Sequence, residues 1–314
     1  MVENIKSLTF IVPCLNESDN ISLFMDGVLE MRKANPSIKF RVMFVDDGSV
    51  DDSRKIIINL NKKFIDVDYV FLTRNFGAHL ALLAGLDSAE TDMAVFMPCD
   101  QVSDPSLINQ MIKYADEGVE VVIGKRKNRK TKFINRFFSW AFYYLFNLVG
   151  DVRLPPGGSD FFLITKRPIE FLRKNKEYNA NLFMLLLWPG FNYRILECEI
   201  HPREKGESKW TFSKRLRLAI DSFFGFSMFP LRVLTGLGLF LSFTSFMFLV
   251  YTIGNYFYLG TPVPGVPTIV CAIAFGFGCV FLALGIIAEY LFRNLDFSRK
   301  RPLYVIEDQS GVKK

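Results

Sequence analysis

The chain has 314 residues, half of them hydrophobic and 33 of them Phe, with a formal net charge of +6. That length is ample for one α/β domain with something attached, and the phenylalanine content is high for a purely soluble protein. Its five cysteines, Cys14, Cys99, Cys198, Cys271 and Cys279, form no CxxC pair or Cys/His cluster, which argues against a disulfide framework or a zinc site and fits a reducing cytoplasm.

The first 125 residues alternate short apolar strands with amphipathic helices. Strands are predicted at Leu8 to Val12, Phe40 to Val45, Val67 to Leu72, Met93 to Met97 and Glu120 to Ile123. Helices are predicted at Asn20 to Arg32, Asp52 to Asn61, Ala78 to Ser88 and Pro105 to Asp116. Such alternation implies a largely parallel sheet with helices on both faces, and ligands of such sheets sit beyond the carboxyl ends of the strands. Polar residues cluster at those ends: Pro13-Cys14-Leu15-Asn16-Glu17, Asp46-Asp47-Gly48-Ser49, Thr73-Arg74-Asn75-Phe76-Gly77 and Asp100. Each loop alone also has a structural reading. Ser49 with Asp52 resembles a capping box, and Asp46-Asp47-Gly48 could be a solvated turn. Four together point to one binding rim. No GxGxxG follows the first strand and no GxxxxGK[ST] occurs, which disfavours a dinucleotide fold or a P-loop.

Residues 125–132, KRKNRKTK, carry six cations in eight positions, and 133–149, FINRFFSWAFYYLFNLV, is aromatic-rich. A solvated loop and a buried helix would account for them. A basic stretch joined to an amphipathic helix lying in a membrane interface is the alternative, with cations at headgroup phosphates. Lys209 to Phe226 is a second segment of that kind. Between them Gly157-Gly158-Ser159-Asp160 precedes an apolar strand starting at 161, making Asp160 a candidate for chemistry or a turn residue. Around Gly206, Arg203, Lys205 and Lys209 could clamp a diphosphate.

From Val233 to Ala288 there is no charged residue, and Thr261 to Pro267 divides this stretch into two apolar runs. Each run is about 20 residues or a little more, enough for one bilayer crossing, although a buried hairpin could look similar. Lys214, Arg215, Arg217 and Arg232 precede the first run, and Arg293, Arg299, Lys300 and Arg301 follow the second; the connecting loop has no Lys or Arg. The positive-inside rule places both chain ends in the cytoplasm, and MVENIKSLTF does not read as a signal peptide. The expected organisation is therefore a domain at 1–208, a juxtamembrane amphipathic helix at 209–229, a two-helix transmembrane hairpin at 230–293 and a cytoplasmic tail at 294–314. With a membrane at hand, the positive charge suits anionic lipid or phosphate ligands, and no nucleic-acid partner is expected.

IVPCLNE, FVDDGSVDDS, LTRNFGAHLALLAGLDSA, GGSDFFLITKR, GESKW and the tail AEYLFR…RPLY, in this order and spacing, resemble the family 2 glycosyltransferases with a GT-A fold, in their membrane-anchored polyprenyl-phosphate branch. The resemblance implies an inverting transfer of one sugar from a UDP- or GDP-linked donor to a polyprenyl phosphate at the cytoplasmic face, with Mg2+ or Mn2+, in a homo-oligomer that close relatives suggest is a tetramer. It implies that Pro13, Asn16, Glu17, Asp46, Asp47, Gly48 and Asn75 bind the donor, that Arg203, Ser208 and Lys209 close over it, that Lys125 and Arg126 meet the acceptor phosphate, and that Asp160 and Asp100 are catalytic. The family usually reads DADLQDPP or SADLQDPP where this chain reads PCDQVSDP. One register puts Asp100 on the metal-binding aspartate, with Asp104 a possible recruit. The other puts Cys99 and Gln101 on the two aspartates. Fewer metal ligands than usual result either way. Transfer to another lipid or glycan acceptor, or a non-catalytic protein that kept the fold, are the rival readings; no QxxRW motif of processive synthases is found.

Overall fold

The computed structural model describes residues 7–100, 105–126, 133–150, 152–155, 161–176, 182–198, 265–298 and 301–310, with scattered helical positions between 233 and 258. Side chains are not described at 105, 126, 133–139, 198 and much of 266–298.

The strands are β1 (Ser7–Cys14), β2 (Lys39–Asp46), β3 (Val67–Leu72), β4 (Met93–Phe96), β5 (Val121–Arg126), β6 (Phe161–Thr165), β7 (Tyr193–Cys198) and β8 (Ile306–Gln309). The helices are α1 (Ser18–Ala34), α2 (Ser53–Lys63), α3 (Ala78–Ser88), α4 (Pro105–Asp116), α5 (Phe133–Val149), α6 (Lys166–Lys174), α7 (Leu182–Leu187) and α8 (Val266–Ser298). Every strand and helix expected in the first 125 residues is present, three with the expected bounds and the others differing by one to three residues at an end.

Eight strands form one sheet in the order β7-β5-β6-β4-β1-β2-β3-β8. β4, β1, β2 and β3 are mutually parallel. β6 runs antiparallel between β4 and β5, and β8 is antiparallel to β3. This is the mixed, mostly parallel α/β sheet that the resemblance implies. Because β6 is reversed, its amino end at Phe161, paired with Gly124, lies at the same edge as the carboxyl ends of β4 and β5.

The parallel strands are apolar almost throughout because both faces are covered. Leu8, Phe10, Val12 and Cys14 of β1 enter a core shared with α1 and α4, whereas Ile11 enters a second core shared with α3, α6 and α7. Phe10 is fully buried; its ring lies edge-on to Phe24 at 6.2 Å and stacks on Phe40 at 6.1 Å. Phe10→Ala is expected to cost about 3–5 kcal/mol, transfer and cavity terms together, read as a lowered urea midpoint by circular dichroism. α3 presses on the sheet so closely that a Cβ at Gly85 would come within 2.6 Å of Ile11 and Val45 side chains.

Two features go beyond the sequence reading. α8 runs to Ser298, and part of the tail expected at 294–314 is built into the domain: β8 extends the sheet at β3. Residues 306–309, IEDQ, are short and mostly polar, so no period-two apolar pattern marks them as a strand. Their stability comes from the β3 edge. Among the described residues no helix is long and apolar enough to cross a membrane; α8 has 33 residues, but its side chains are described only in part.

Candidate active site

Beyond the carboxyl ends of β1 and β2 the chain ties two loops together. Asn16 takes a left-handed backbone (φ 53°), which asparagine tolerates better than most residues. Its N–H donates to Ser49 Oγ at 2.8 Å, and its side-chain Oδ1 accepts from Val50 N–H at 2.9 Å. Glu17 N–H donates to Ser53 Oγ at 3.0 Å, and Ser18 N–H to Asp51 Oδ2 at 3.2 Å. Ser49 therefore does not form a capping box with Asp52; Asp52, the residue before α2, makes no side-chain cap, and the Ser49 hydroxyl holds the neighbouring loop instead.

The acidic pair ending β2 is buried, Asp46 at 0% and Asp47 at 4% exposure, so a solvated turn is excluded. Asp46 Oδ2 accepts from Arg54 Nε at 2.6 Å and from Ser49 N–H at 3.1 Å. Asp47 turns the other way: Oδ1 accepts from Phe76 N–H at 2.7 Å and Oδ2 from Gly77 N–H at 2.9 Å. Gly77 is the residue before α3, so this carboxylate sits at a helix amino terminus, where unpaired N–H groups and the helix dipole favour an anion. Burial still pushes the Asp47 carboxyl above its ordinary pKa, aided by the adjacent Asp46 charge and opposed by those two N–H donors and Arg74. At Asp51, slight burial acts upward, but donors from Ser53 and Ser18 outweigh it and hold the group below its ordinary value.

Gly48 (φ 80°) lies against the β3–α3 loop, where an added Cβ would stand 2.7 Å from Arg74 C and 2.8 Å from Asn75 N. The Arg74 guanidinium stacks 4.1 Å from the Phe76 ring centroid. On the other side of β1, the chain after β4 carries buried Cys99 and then partly buried Asp100. The Cys14 thiol is pushed up by burial and by the Cys99 thiol beside it, which makes it an inert packing group and no nucleophile.

The structure thus gathers Pro13, Asn16, Glu17, Asp46, Asp47, Gly48 and Asn75 around the ends of β1, β2 and β3, with Asp100 following β4 beside β1. Asp46 is enclosed and engaged by protein groups, so it braces the rim from behind. Lys125 lies near the end of β5, 3.8 Å from Glu197; Arg126 ends that strand, its side chain not described. Asp104, Asp160, Arg203, Ser208 and Lys209 lie outside the described residues. Sequence reasoning missed Asp51, Ser53 and Arg54. A cation in the first turn of α2, eight residues after a buried acid, was the available signal for Arg54.

Asp100 offers a hard oxygen ligand, and among the described residues no three His, Cys, Asp or Glu groups come together to cage an ion. That donor set fits Mg2+ or Mn2+ taking most of its ligands from water and phosphate oxygens; it does not fit a structural zinc.

The sequence model described as "Glycosyl transferase family 2" matches residues 9–180, more than half of the chain and the whole of this rim. The chain belongs to glycosyl transferase family 2. This glycosyltransferase is 30% identical over 97% of its length to an uncharacterized glycosyltransferase of Synechocystis sp., covering 96% of that protein. It is 31% identical over 96% of its length to the bactoprenol glucosyl transferase of Shigella phage SfV, covering 98% of it. It is 30% identical over 96% to a prophage bactoprenol glucosyl transferase homolog of Escherichia coli, again covering 98%. The resemblance therefore extends past the rim into the apolar segments and the tail.

Proposed function

We propose that this glycosyltransferase moves one sugar, with inversion, from a UDP- or GDP-linked donor to a polyprenyl phosphate at the cytoplasmic face of a membrane. The observation that carries the reading is the end-to-end similarity to proteins named bactoprenol glucosyl transferases, joined to a rim of laced polar loops at parallel strand ends.

The donor lies across the ends of β1 and β2, with Asn16, Gly48 and Ser49 in the floor and Asp46 and Asp47 fixing the floor's shape. Asp100, with Asp104 as a further candidate, would hold a Mg2+ or Mn2+ ion; when bound, that ion supplies charge for the departing nucleoside diphosphate. Arg203, Ser208 and Lys209 are the residues that would close over the diphosphate. Cations fixed in place before reaction stabilise a developing negative charge with little reorganisation.

The acceptor is a phosphate monoester, with a second pKa of about 6 by analogy with phosphorylated side chains. Near neutral pH it is already mostly dianionic, so its attack on the sugar carbon needs little help from a base. Asp160 is accordingly assigned to orienting the acceptor, with Lys125 and Arg126 near its phosphate.

An acceptor with a long hydrocarbon tail cannot leave the bilayer, so the enzyme must sit on it. α5 suits that role: Trp140, Tyr144 and Leu148 follow one helix face and are each more than half exposed, with Trp140 stacked on Tyr144 at 5.5 Å, while Phe146 on the opposite face is fully buried. The same helix thus serves both readings offered for it, one face in the core and one turned outward. The uncharged stretch from Val233 to Ala288 and the exposed Ile273, Phe277, Phe281 and Leu284 of α8 support the two spans, with both chain ends in the cytoplasm.

Membranes containing the full chain, given undecaprenyl phosphate and a panel of radiolabelled UDP- and GDP-sugars with Mg2+ or Mn2+, should yield one labelled lipid extractable into organic solvent. The anomeric configuration of that product, read by NMR, should be opposite to the donor's. Label found only in protein or polysaccharide, with none in the lipid phase, would refute the acceptor assignment.

A further inference from the structure

The C-terminal segment does more than close the sheet. Val70 pairs with Gln309, Phe71 with Asp308, but Leu72 with Ile306, so Glu307 is the extra residue of a bulge in β8. Bulges break the alternation of a strand and re-aim a side chain. This one coincides with a contact: Glu307 Oε2 accepts from Arg54 Nη1 at 2.9 Å. The same guanidinium donates from Nε to Asp46 Oδ2 at 2.6 Å and from Nη2 to the Leu72 carbonyl at 2.8 Å, and its carbon lies 5.2 Å from the Phe71 ring centroid. One planar fork thereby joins β2, β3 and β8, a geometry a lysine could not reproduce. Burial alone would lower the Arg54 pKa; the bonds to Asp46 and Glu307 outweigh it and raise it.

The rest of the segment is anchored independently of Glu307. Thr73 N–H donates to the Val305 carbonyl at 3.1 Å, Tyr69 N–H to Ser310 Oγ at 2.7 Å, and Tyr69 Oη to Asp308 Oδ2 at 3.1 Å. Tyr304 Oη donates to Asp87, and Leu303, Tyr304 and Ile306 pack on the core around α3. Losing the Glu307 carboxylate therefore leaves the strand docked.

We infer that Glu307 is a positioning residue for the donor site: through Arg54 it fixes the Asp46 carboxylate, and with it the 46–50 turn that forms the floor under the nucleotide. The chain that leaves α8 thus ends by bracing the site where the donor binds. The assignment of that floor to a nucleotide rests on the proposed function; the mechanical link from Glu307 to the turn does not.

The test uses the full purified chain, with UDP and GDP in the presence of Mn2+ as probes and amide hydrogen exchange of residues 46–54 as a second readout. Glu307→Gln should weaken nucleotide binding about fivefold and speed exchange in that segment. Glu307→Asp should restore part of both, and Arg54→Lys should weaken binding further. Asp308→Asn, which loses a contact to Tyr69 on the same strand, should leave binding and exchange at 46–54 unchanged. Glu307→Gln indistinguishable from wild type in both readouts, or Asp308→Asn with an equal effect, would overturn the inference. If the wild type binds neither nucleotide, the proposed function fails, and the exchange comparison alone decides the link.

Discussion

Asp100→Asn should lower the transfer rate at saturating donor by about a hundredfold to a thousandfold, in line with loosening the ion that would supply charge to the departing diphosphate. Asparagine keeps an oxygen of similar reach and removes only the charge, so a folding defect is not expected. The loss should be partly recovered as Mg2+ or Mn2+ concentration rises, because a neutral ligand weakens the ion's hold without abolishing it. Initial rates over a metal titration would check both parts. Asp104→Asn separates the two sequence registers: with Asp100 as the principal ligand, its effect is several-fold smaller. Equal rates for Asp100→Asn and wild type at every metal concentration would remove Asp100 from the chemistry.

The parts of this protein that were legible in the sequence are those written as pattern. β1 to β4 are runs such as LTFIV and MAVF, buried on both faces, and a run of that kind between amphipathic helices has few other destinies. The rim was legible for a related reason: a parallel sheet brings its strand ends together, so polar residues after successive strands must converge. What the pattern did not carry was who holds whom. Asp46 and Asp47 were expected at the donor, and spacing alone did not show that their carboxylates also meet Arg54 and the Phe76 and Gly77 N–H groups. Ser49 serves Asn16 and not α2. These are contacts between loops as many as 33 residues apart, set by the fold and invisible to local spacing. β8 escaped because an edge strand one face of which is solvated can be polar and four residues long.

Gly48→Ala should be among the most damaging small substitutions in the rim, costing about 2–5 kcal/mol. Roughly 1–2 kcal/mol comes from holding a residue with a Cβ at positive φ, and about 1–3 from overpacking. The second contribution cannot be relieved by a rotamer change, because the atoms met are the backbone of Arg74 and Asn75, at 2.7 and 2.8 Å. The loop of which they are part must move, and that loop supplies the Phe76 and Gly77 N–H groups to Asp47. In the variant Asp47 stays buried but loses the donors that offset its burial, so its pKa, already raised, rises further. A carboxyl whose folded pKa lies above its unfolded value contributes stability that is present below the unfolded pKa and lost as pH rises through the folded one. The destabilisation by Gly48→Ala should therefore be larger at about pH 7 than at about pH 4, measured as the difference in urea midpoint from wild type at each pH. A difference that stays constant across that range would mean the loop absorbs the methyl group without releasing Asp47. Donor binding gives the complementary readout: since Gly48 and Asn16 form one floor, the displaced loop should weaken nucleotide binding at both pH values, including the one at which the fold has recovered most of its stability.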